Sequence, residues 1–248
     1  MSYDPLFDST QNQALLVICA RKKIRAIGIG GLIWGLINLF IGLAGMRVNM
    51  LNVGLVFLAV LMLGTGIYAM ALPSLTALLV EAIVSALLFC WNVGITIFNT
   101  RLGHTSHVNG HGLVFPALAA ILFFREYYLL GHLKDAIRTI DAQTVKQATT
   151  VCKQLLKKKV KQEPDLAEAT GKKFRAQFLS DSVFCVQTGL ARAFHMSVAD
   201  FKKCIKDVGA KKLTFIVQHP LGKLTYIFDK KNSEKIKSWL AAPPSRSA

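Results

Sequence analysis

A run of 21 uncharged residues, Ala26 to Met46, constrains the fold more than any other part of the chain. A helix that crosses a hydrocarbon core about 30 Å thick needs roughly 20 apolar residues. Three further apolar runs follow, Leu51 to Leu72, Leu75 to Phe98 and Leu113 to His132, and the links between them are short. Because backbone groups in lipid must be satisfied internally, each run is predicted to be a helix. The sequence therefore predicts an integral membrane bundle of four transmembrane helices with up-down topology.

Small or polar residues recur every three or four positions in the first run. On a helix this spacing places them in one stripe. Helices in lipid associate through close backbone approach, which glycine permits. We expect another helix, or a ligand, to lie in this groove. Its members are Gly28, Gly31, Gly35, Asn38, Gly42 and Gly45.

The net charge of +16 lies almost wholly outside the apolar region. From His132 onward there are 23 Lys plus Arg against 10 Asp plus Glu, whereas residues 26–131 carry three Arg and two Glu. Basic residues cluster before the first run and after the fourth, so the positive-inside rule predicts a multi-pass protein of the plasma (inner) membrane with both termini cytosolic. We expect the lipid bilayer and anionic lipid head groups as partners. The lipid-facing basic residues are predicted to be Arg21, Lys22, Lys23, Lys157, Lys158, Lys159 and Lys161.

The third apolar run carries a polar face, formed by Glu81, Ser85, Asn92 and Thr96. Glu81 lies seven residues after Ser74, and Arg125 lies seven residues before the end of the fourth run, so the two are expected at equal depth and are predicted to meet. Ionisable groups within a membrane usually face the bundle interior or a wet cavity. Two interpretations stay open: a structural pair, or a proton or cation route past Glu81.

The loop between the third and fourth runs holds three histidines, His104, His107 and His111, within eight residues. Imidazoles at this spacing can converge on zinc or copper if a further ligand completes the site. A flexible polar turn around Asn109 and Gly110 explains the same composition. Apart from this loop, the sequence predicts no cofactor.

Catalytic motifs are lacking, so we predict no enzymatic activity. The chain has no G-x-x-x-x-G-K-[ST], no G-x-S-x-G and no H-E-x-x-H. Its five cysteines are scattered without a C-x-x-C pair, which indicates reduced thiols rather than a disulfide framework. The aromatic residues after residue 165 suit a protein core as well as they suit bases, and we do not expect nucleic acid as a partner.

Five segments are predicted along the chain: a cytosolic lead-in helix (1–25), the four-helix transmembrane domain (26–132), an amphipathic basic helix that continues the fourth span and a linker (133–164), a cytosolic α+β domain (165–242) and a frayed tail (243–248). In the α+β domain, Phe174 to Thr188 reads as a hairpin and KLTFIVQ with KLTYIFD as a second one. A helix is expected from Ser197 to about Asp207, closed by Gly209, and another from Ser233 to Leu240.

Antiparallel hairpins closed by a C-terminal helix resemble the pleckstrin-homology and GRAM-like domains found beside membranes. The resemblance covers about the last 75 residues and rests on element order, with four strands identified where that fold has seven. A sheet with two helices, unrelated to that fold, is the alternative. The overall expectation is a membrane-anchored binding or regulatory module whose basic domain engages anionic lipid or a protein partner. The alternative is a small oligomeric transporter or channel that uses the glycine groove and the polar face around Glu81.

Overall fold

The computed structural model describes residues 9–46, 50, 52–101, 111–131, 133–134, 141–160, 162–170, 174–207 and 212–241. The chain divides into two compact units. The β unit comprises Met1–Ala20 and Asp135–Ala248, and the helical unit comprises Arg21–Lys134. The long first helix, α1 (Thr10–Met46), contributes its residues up to Ala20 to the β unit and the others to the helical unit.

Three more helices complete the helical unit: α2 (Asn52–Ala71), α3 (Leu75–Arg101) and α4 (His111–Gly131). All four helices are long and apolar enough to cross a membrane. Helices α2, α3 and α4 match their apolar runs to within a few residues, whereas α1 begins at Thr10, so the predicted lead-in helix and the first apolar run form one helix. Pro73 and Ser74 separate α2 from α3, and Ser74 Oγ accepts a hydrogen bond from the Ala77 amide at 3.1 Å. This side-chain acceptor satisfies one of the free amides with which every helix begins.

The interior of the helical unit is small. Its core is a cluster of Leu55, Leu58, Met62, Val84 and Leu88, against which Trp34 packs. Many large apolar side chains point outward instead, and several are more than half exposed. Examples are Phe40, 69% exposed, Phe57 and Ile121, both 62% exposed.

The β unit is built on a single curled antiparallel sheet of seven strands in the order β4-β3-β2-β1-β7-β6-β5. The strands are β1 (Leu166–Ala169), β2 (Phe174–Phe178), β3 (Ser182–Gln187), β4 (Ala193–Ser197), β5 (Ile205–Asp207), β6 (Leu213–His219) and β7 (Gly222–Phe228). Pairing between β1 and β7 is limited to Ala169 opposite Phe228, with one more hydrogen bond from the Thr170 amide to the Ile227 carbonyl. The sheet is thus a half-barrel whose two halves meet at a short seam.

Aromatic rings fill the inner face of this sheet. Phe174 lies at the centre and stacks on Tyr226 with a centroid distance of 3.8 Å. Phe194 and Phe215 stack on each other with their planes 6° apart. The α6 helix (Val198–Cys204) adds Phe201, whose ring lies 5.0 Å from Phe215. Such rings dominate the apolar area that a small domain can bury.

Two further helices pack on the β unit, α5 (Ala142–Lys157) and the C-terminal α7 (Lys230–Ala241). Ile236 of α7 is fully buried, and Trp239 lies with its ring 4.5 Å from that of Phe178. Asp141 begins α5, since its Oδ2 accepts from the amides of Gln143 and Thr144 at 3.0 and 3.2 Å. The α5 helix therefore starts at a cap of its own.

Both predicted hairpins are present, as β2–β3 and β6–β7, and so is the C-terminal helix. Three strands were missed: β1 at the start of the predicted α+β domain, β4 before the Ser197 cap, and β5 within the predicted helix. Ser197 does cap α6, with its Oγ accepting from the Asp200 amide at 3.1 Å, but the helix ends at Cys204 because the chain becomes the extended strand β5 there. The Gly209 stop lies outside the described residues.

Candidate functional site

The glycine stripe of α1 lies against α2. A Cβ placed on Gly28 would lie 2.9 Å from the carbonyl oxygen of Gly66, and a Cβ on Gly66 would lie 2.9 Å from that of Gly28. The two backbones are thus in direct contact. Gly30, one position off the stripe, has nothing within 4 Å. Further along the stripe, Gly35, Gly42 and Gly45 face Leu63, Val56 and Asn52, and Asn38 donates to the Trp34 carbonyl at 2.9 Å.

Gly31 is the stripe position that meets α3. A Cβ at Gly31 would overlap the carboxyl group of Glu81, whose two oxygens and carboxyl carbon are its nearest neighbours. The absence of a side chain at Gly31 is therefore what leaves room for Glu81. The stripe serves two partners: α2 at most positions and the Glu81 carboxyl group at this one.

Glu81 is fully buried, and neither of its carboxyl oxygens has a hydrogen-bond partner. The Thr65 hydroxyl is the polar side-chain group within reach of the Glu81 carboxyl group, and it also donates to the Met62 carbonyl at 3.1 Å. One turn further along α3, the Ser85 hydroxyl is also fully buried without a partner. One turn beyond Gly31 on α1, the indole nitrogen of Trp34 is also buried without a hydrogen-bond partner.

The predicted ion pair between Glu81 and Arg125 does not form. Arg125 is exposed on α4, whereas Glu81 points inward against Gly31. The neighbouring residue Glu126 pairs instead, with Lys23 of α1. Equal depth on two helices places two residues at one level but does not make them face each other. Here Arg125 lies on an exposed face of α4, and Glu81 lies on the face of α3 that meets α1.

The remaining polar residues of α3 satisfy one another within the helix. The Thr96 hydroxyl donates to the Asn92 carbonyl at 2.7 Å, and the Thr100 hydroxyl donates to the Thr96 carbonyl at 2.8 Å. Asn92 and Thr96 are half-buried, unlike Ser85. Hydroxyls bonded back to the preceding turn are a common way for helices to hold threonine in apolar surroundings. Of the predicted polar face, Glu81 and Ser85 alone combine full burial with unpartnered oxygens.

The start of α1 lies in the core of the β unit. All seven residues from Ala14 to Ala20 are at most 6% exposed. Asn12 fastens this segment to the edge strand β4: its Nδ2 donates to the His195 carbonyl at 2.7 Å, and its Oδ1 accepts from the His195 amide at 2.7 Å. The side-chain amide of Asn12 thereby pairs with the backbone of β4 as a neighbouring strand would.

A basic face runs along α5. Lys146, Lys153 and Lys157 are spaced by seven and four residues, which places them on one side of the helix. All three are exposed, while Cys152 and Leu155 are buried against the sheet. The helix contains no Asp or Glu.

The end of α5 is held by Arg175 of β2. Its Nη1 donates to the carbonyls of Leu155, Leu156 and Lys158 at 3.3, 2.5 and 2.7 Å. Its Nε lies 3.5 Å from Glu168 Oε1. A guanidinium group here satisfies carbonyls that would otherwise end the helix without donors, and its charge complements the negative end of the helix dipole.

The other residues predicted to face lipid are in varied settings. Lys22 and Lys159 are exposed, and Arg21 is half-buried. Lys23 and Lys158 are engaged in ion pairs, Lys23 with Glu126 and Lys158 with Glu163 at 3.9 Å. Lys161 lies outside the described residues.

The predicted histidine site, formed by His104, His107 and the side chain of His111, lies outside the described residues. Among the residues that are described, no group of three His, Cys, Asp or Glu could hold a metal ion. None of the five cysteines forms a disulfide. Burial raises the pKa of Cys152 to about 12 and that of Cys185 well above its usual value, so neither is poised to react as a thiolate.

Comparison of the chain with models of known protein families, with curated proteins and with solved structures found no match.

Two contributions to the β unit, from the α1 segment and from Arg175, were not predicted from the sequence. A signal for the first was present: the run Ala14 to Ala20 is apolar on every side of the helix, yet is too short to span a bilayer. A helix that is apolar all round is buried in protein or lipid. The role of Arg175 had no signal, because the carbonyls it binds lie about 20 residues away in a separate element.

Proposed function

We propose that this chain is a membrane-anchored module whose basic β unit engages anionic phospholipid head groups on the cytosolic side. The observation that carries the proposal is that the two units differ in their surfaces: one exposes apolar side chains and the other is positively charged. The helical unit exposes large apolar side chains, as helices facing lipid tails do, and the β unit carries most of the positive charge. Each basic residue near an anionic surface contributes about 1 kcal/mol.

The α5 helix supplies the surface best suited to this contact. Its three exposed lysines lie on the side away from the sheet, and no carboxylate within the helix competes for them. A seven-stranded sheet followed by a C-terminal helix also has the strand number and element order of pleckstrin-homology and GRAM-like domains. The strand number and the C-terminal helix support the resemblance proposed from the sequence.

The test uses the full chain, because the β unit includes residues on both sides of the helical unit. The protein is placed in nanodiscs of neutral phosphatidylcholine, or of phosphatidylcholine with phosphatidylserine. Lysine reactivity toward an acetylating ester is then read by mass spectrometry. Lys146, Lys153 and Lys157 should react more slowly in the anionic discs. Salt at about 1 M, where the Debye length is about 3 Å, should restore their reactivity.

A matched pair of variants separates this surface from general charge. One variant replaces the three lysines of α5 with Gln, and the other replaces three exposed lysines of α7, Lys230, Lys231 and Lys237. The first should lose the lipid-dependent protection of the α5 region from hydrogen exchange, and the second should keep it. Equal exchange in neutral and anionic discs for the unaltered chain would contradict the proposal.

A second candidate function, transport of a small solute by an oligomer, is favoured by one observation, the partnerless carboxyl group of Glu81 inside the helical unit. Its test is flux into liposomes that contain the full chain, with Glu81→Gln as the comparison. Flux that the substitution abolishes supports transport. Absence of flux of protons, Na⁺ and K⁺ counts against it.

A further inference from the structure

Glu81 differs from every other glutamate of the chain. The four others each have a basic partner: Glu126 with Lys23, Glu163 with Lys158, Glu168 with Arg175 and Glu234 with Lys230. Glu81 has full burial and no partner for either oxygen. We propose that Glu81 is a proton-binding site of the helical unit, in which a bound proton takes the place of the missing basic partner and keeps α1 and α3 in contact at Gly31. This concerns the helical unit alone and goes beyond a lipid-binding role for the β unit.

An ionised carboxylate removed from water without a partner is unfavourable by several kcal/mol, so a buried carboxylate needs a counter-charge. The nearby basic groups do not supply it, since Lys23 is paired with Glu126 and Arg125 is exposed. Around Glu81, α1 presents Gly31 and α2 presents the Thr65 hydroxyl, neither of which is charged. The counter-charge must be a bound cation.

Space and ligand number favour the proton over a metal ion. The carboxyl group lies so close to Gly31 that even a methyl group there would overlap it. Calcium and magnesium ions need six or more oxygen ligands, and the described residues contain no cluster of acidic or imidazole groups. A proton needs no extra volume and joins a single oxygen.

The uncharged polar groups nearby suit the neutral acid. A protonated carboxyl group has one O–H donor and keeps acceptor capacity. Ser85 lies four residues on, on the same face of α3, with its hydroxyl buried and unpartnered. The reaction is a simple association: one Glu81 oxygen shares a lone pair with H⁺ to form the O–H bond, and loss of the proton returns the carboxylate. In the ionised form, the Glu81 carboxylate would be buried next to Gly31 without a counter-charge. Its hydration would then favour separation of α1 from α3.

Infrared difference spectroscopy of the full chain in nanodiscs tests the proposal. A protonated carboxylic acid shows a C=O stretch above the amide I region, and an ionised carboxylate does not. At neutral pH, the unaltered chain should show this band, and ¹³C-glutamate labelling should shift it. Glu81→Gln should remove the band, whereas the matched variant Glu126→Gln, which loses a salt-bridged carboxylate of the same unit, should keep it.

Two glycine variants link the band to the contact with α1. Gly31→Ala should shift the band, because the new methyl group displaces the carboxyl group, and Gly30→Ala should leave it unchanged, because nothing lies within 4 Å of that position. A spectrum of the unaltered, labelled chain with carboxylate bands alone at neutral pH would overturn the proposal without reliance on any variant. Persistence of the acid band in Glu81→Gln would overturn it as well.

Discussion

Replacement of Gly28 by alanine tests the claim that backbone contact holds α1 to α2. The added Cβ would lie 2.9 Å from the Gly66 carbonyl oxygen, whereas ordinary contacts begin near 3.4 Å. The obstacle is backbone, so no side-chain rotation can relieve it. The helices must separate by about 0.5 Å at this point, and gaps of 0.5–1 Å already forfeit a quarter to a half of each local dispersion contact.

The matched control is Gly30→Ala, two residues away on the same helix. Alanine favours a helix interior by about 1 kcal/mol over glycine, and this gain is common to both variants. Their difference therefore isolates the packing cost, which for overpacked interiors is about 1–3 kcal/mol. We expect Gly30→Ala to be neutral or slightly stabilising and Gly28→Ala to be less stable than Gly30→Ala by that amount.

The assay is unfolding in mixed micelles at rising SDS fraction, followed by tryptophan fluorescence. A Trp239→Phe background leaves Trp34 and Trp91 as the reporters, both within the helical unit. Equal stability of the Gly28 and Gly30 variants would refute the reasoning, because it would mean that no close contact exists at Gly28.

Three further predictions concern the β unit. Asn12→Ala should speed hydrogen exchange at the His195 amide by up to about tenfold, because it removes the acceptor 2.7 Å away and one hydrogen bond contributes about 0.5–1.5 kcal/mol. Gln11→Ala, at an exposed position, should not change this exchange, and unchanged exchange in Asn12→Ala would contradict the pairing. Arg175→Ala should destabilise the docked end of α5 by about 1.5–3 kcal/mol, the range for hydrogen bonds to charged groups, and should increase its exchange and proteolysis; an unaffected α5 would show that its end is held by other contacts. Burial, and to a smaller extent a nearby arginine, lowers the pKa of His219 from 6.5 to about 3. As the pH falls, the unfolded chain therefore binds a proton at His219 before the folded chain does. The β unit should lose stability between pH 6.5 and pH 3, with no such loss above 6.5. His219→Asn keeps a side-chain acceptor for the following turn and should flatten that pH dependence in a denaturant titration; a slope equal to that of the unaltered chain would assign it to other groups.

The four long helices could be predicted from sequence because their signal is local and strong. An apolar run of about 20 residues fixes both the element and its length. The hairpins β2–β3 and β6–β7 were also accessible, since alternation and a turn lie within about 15 residues. The strands β1 and β5 could not be predicted, because they have only four and three residues. Such short segments become strands only when the rest of the sheet provides their pairing partners.

The site was harder to predict than the fold. Burial of Glu81 inside the bundle followed from its type and position, but its neighbour was set by rotation of the helices about their axes. Equal depth in the membrane predicted Arg125 as that neighbour, whereas the structure places the carboxyl group against Gly31, a residue of the glycine stripe. The two features appeared separately in the sequence, and their contact required knowledge of which face of α1 meets α3.

Assembly of the β unit from two distant pieces has a consequence for biosynthesis. Residues 21–134 intervene between Ala20 and Asp135, so the ribosome makes the earliest piece of this core first and supplies its partners last. Until β7 is complete, the apolar segment Ala14–Ala20 has no complete sheet to cover it. The contacts that this segment makes in the folded protein join residues far apart in the sequence, and such contacts slow folding. A nascent chain interrupted before its final strands thus exposes the apolar segment Ala14–Ala20, by which chaperones or proteases can tell an unfinished molecule from a finished one.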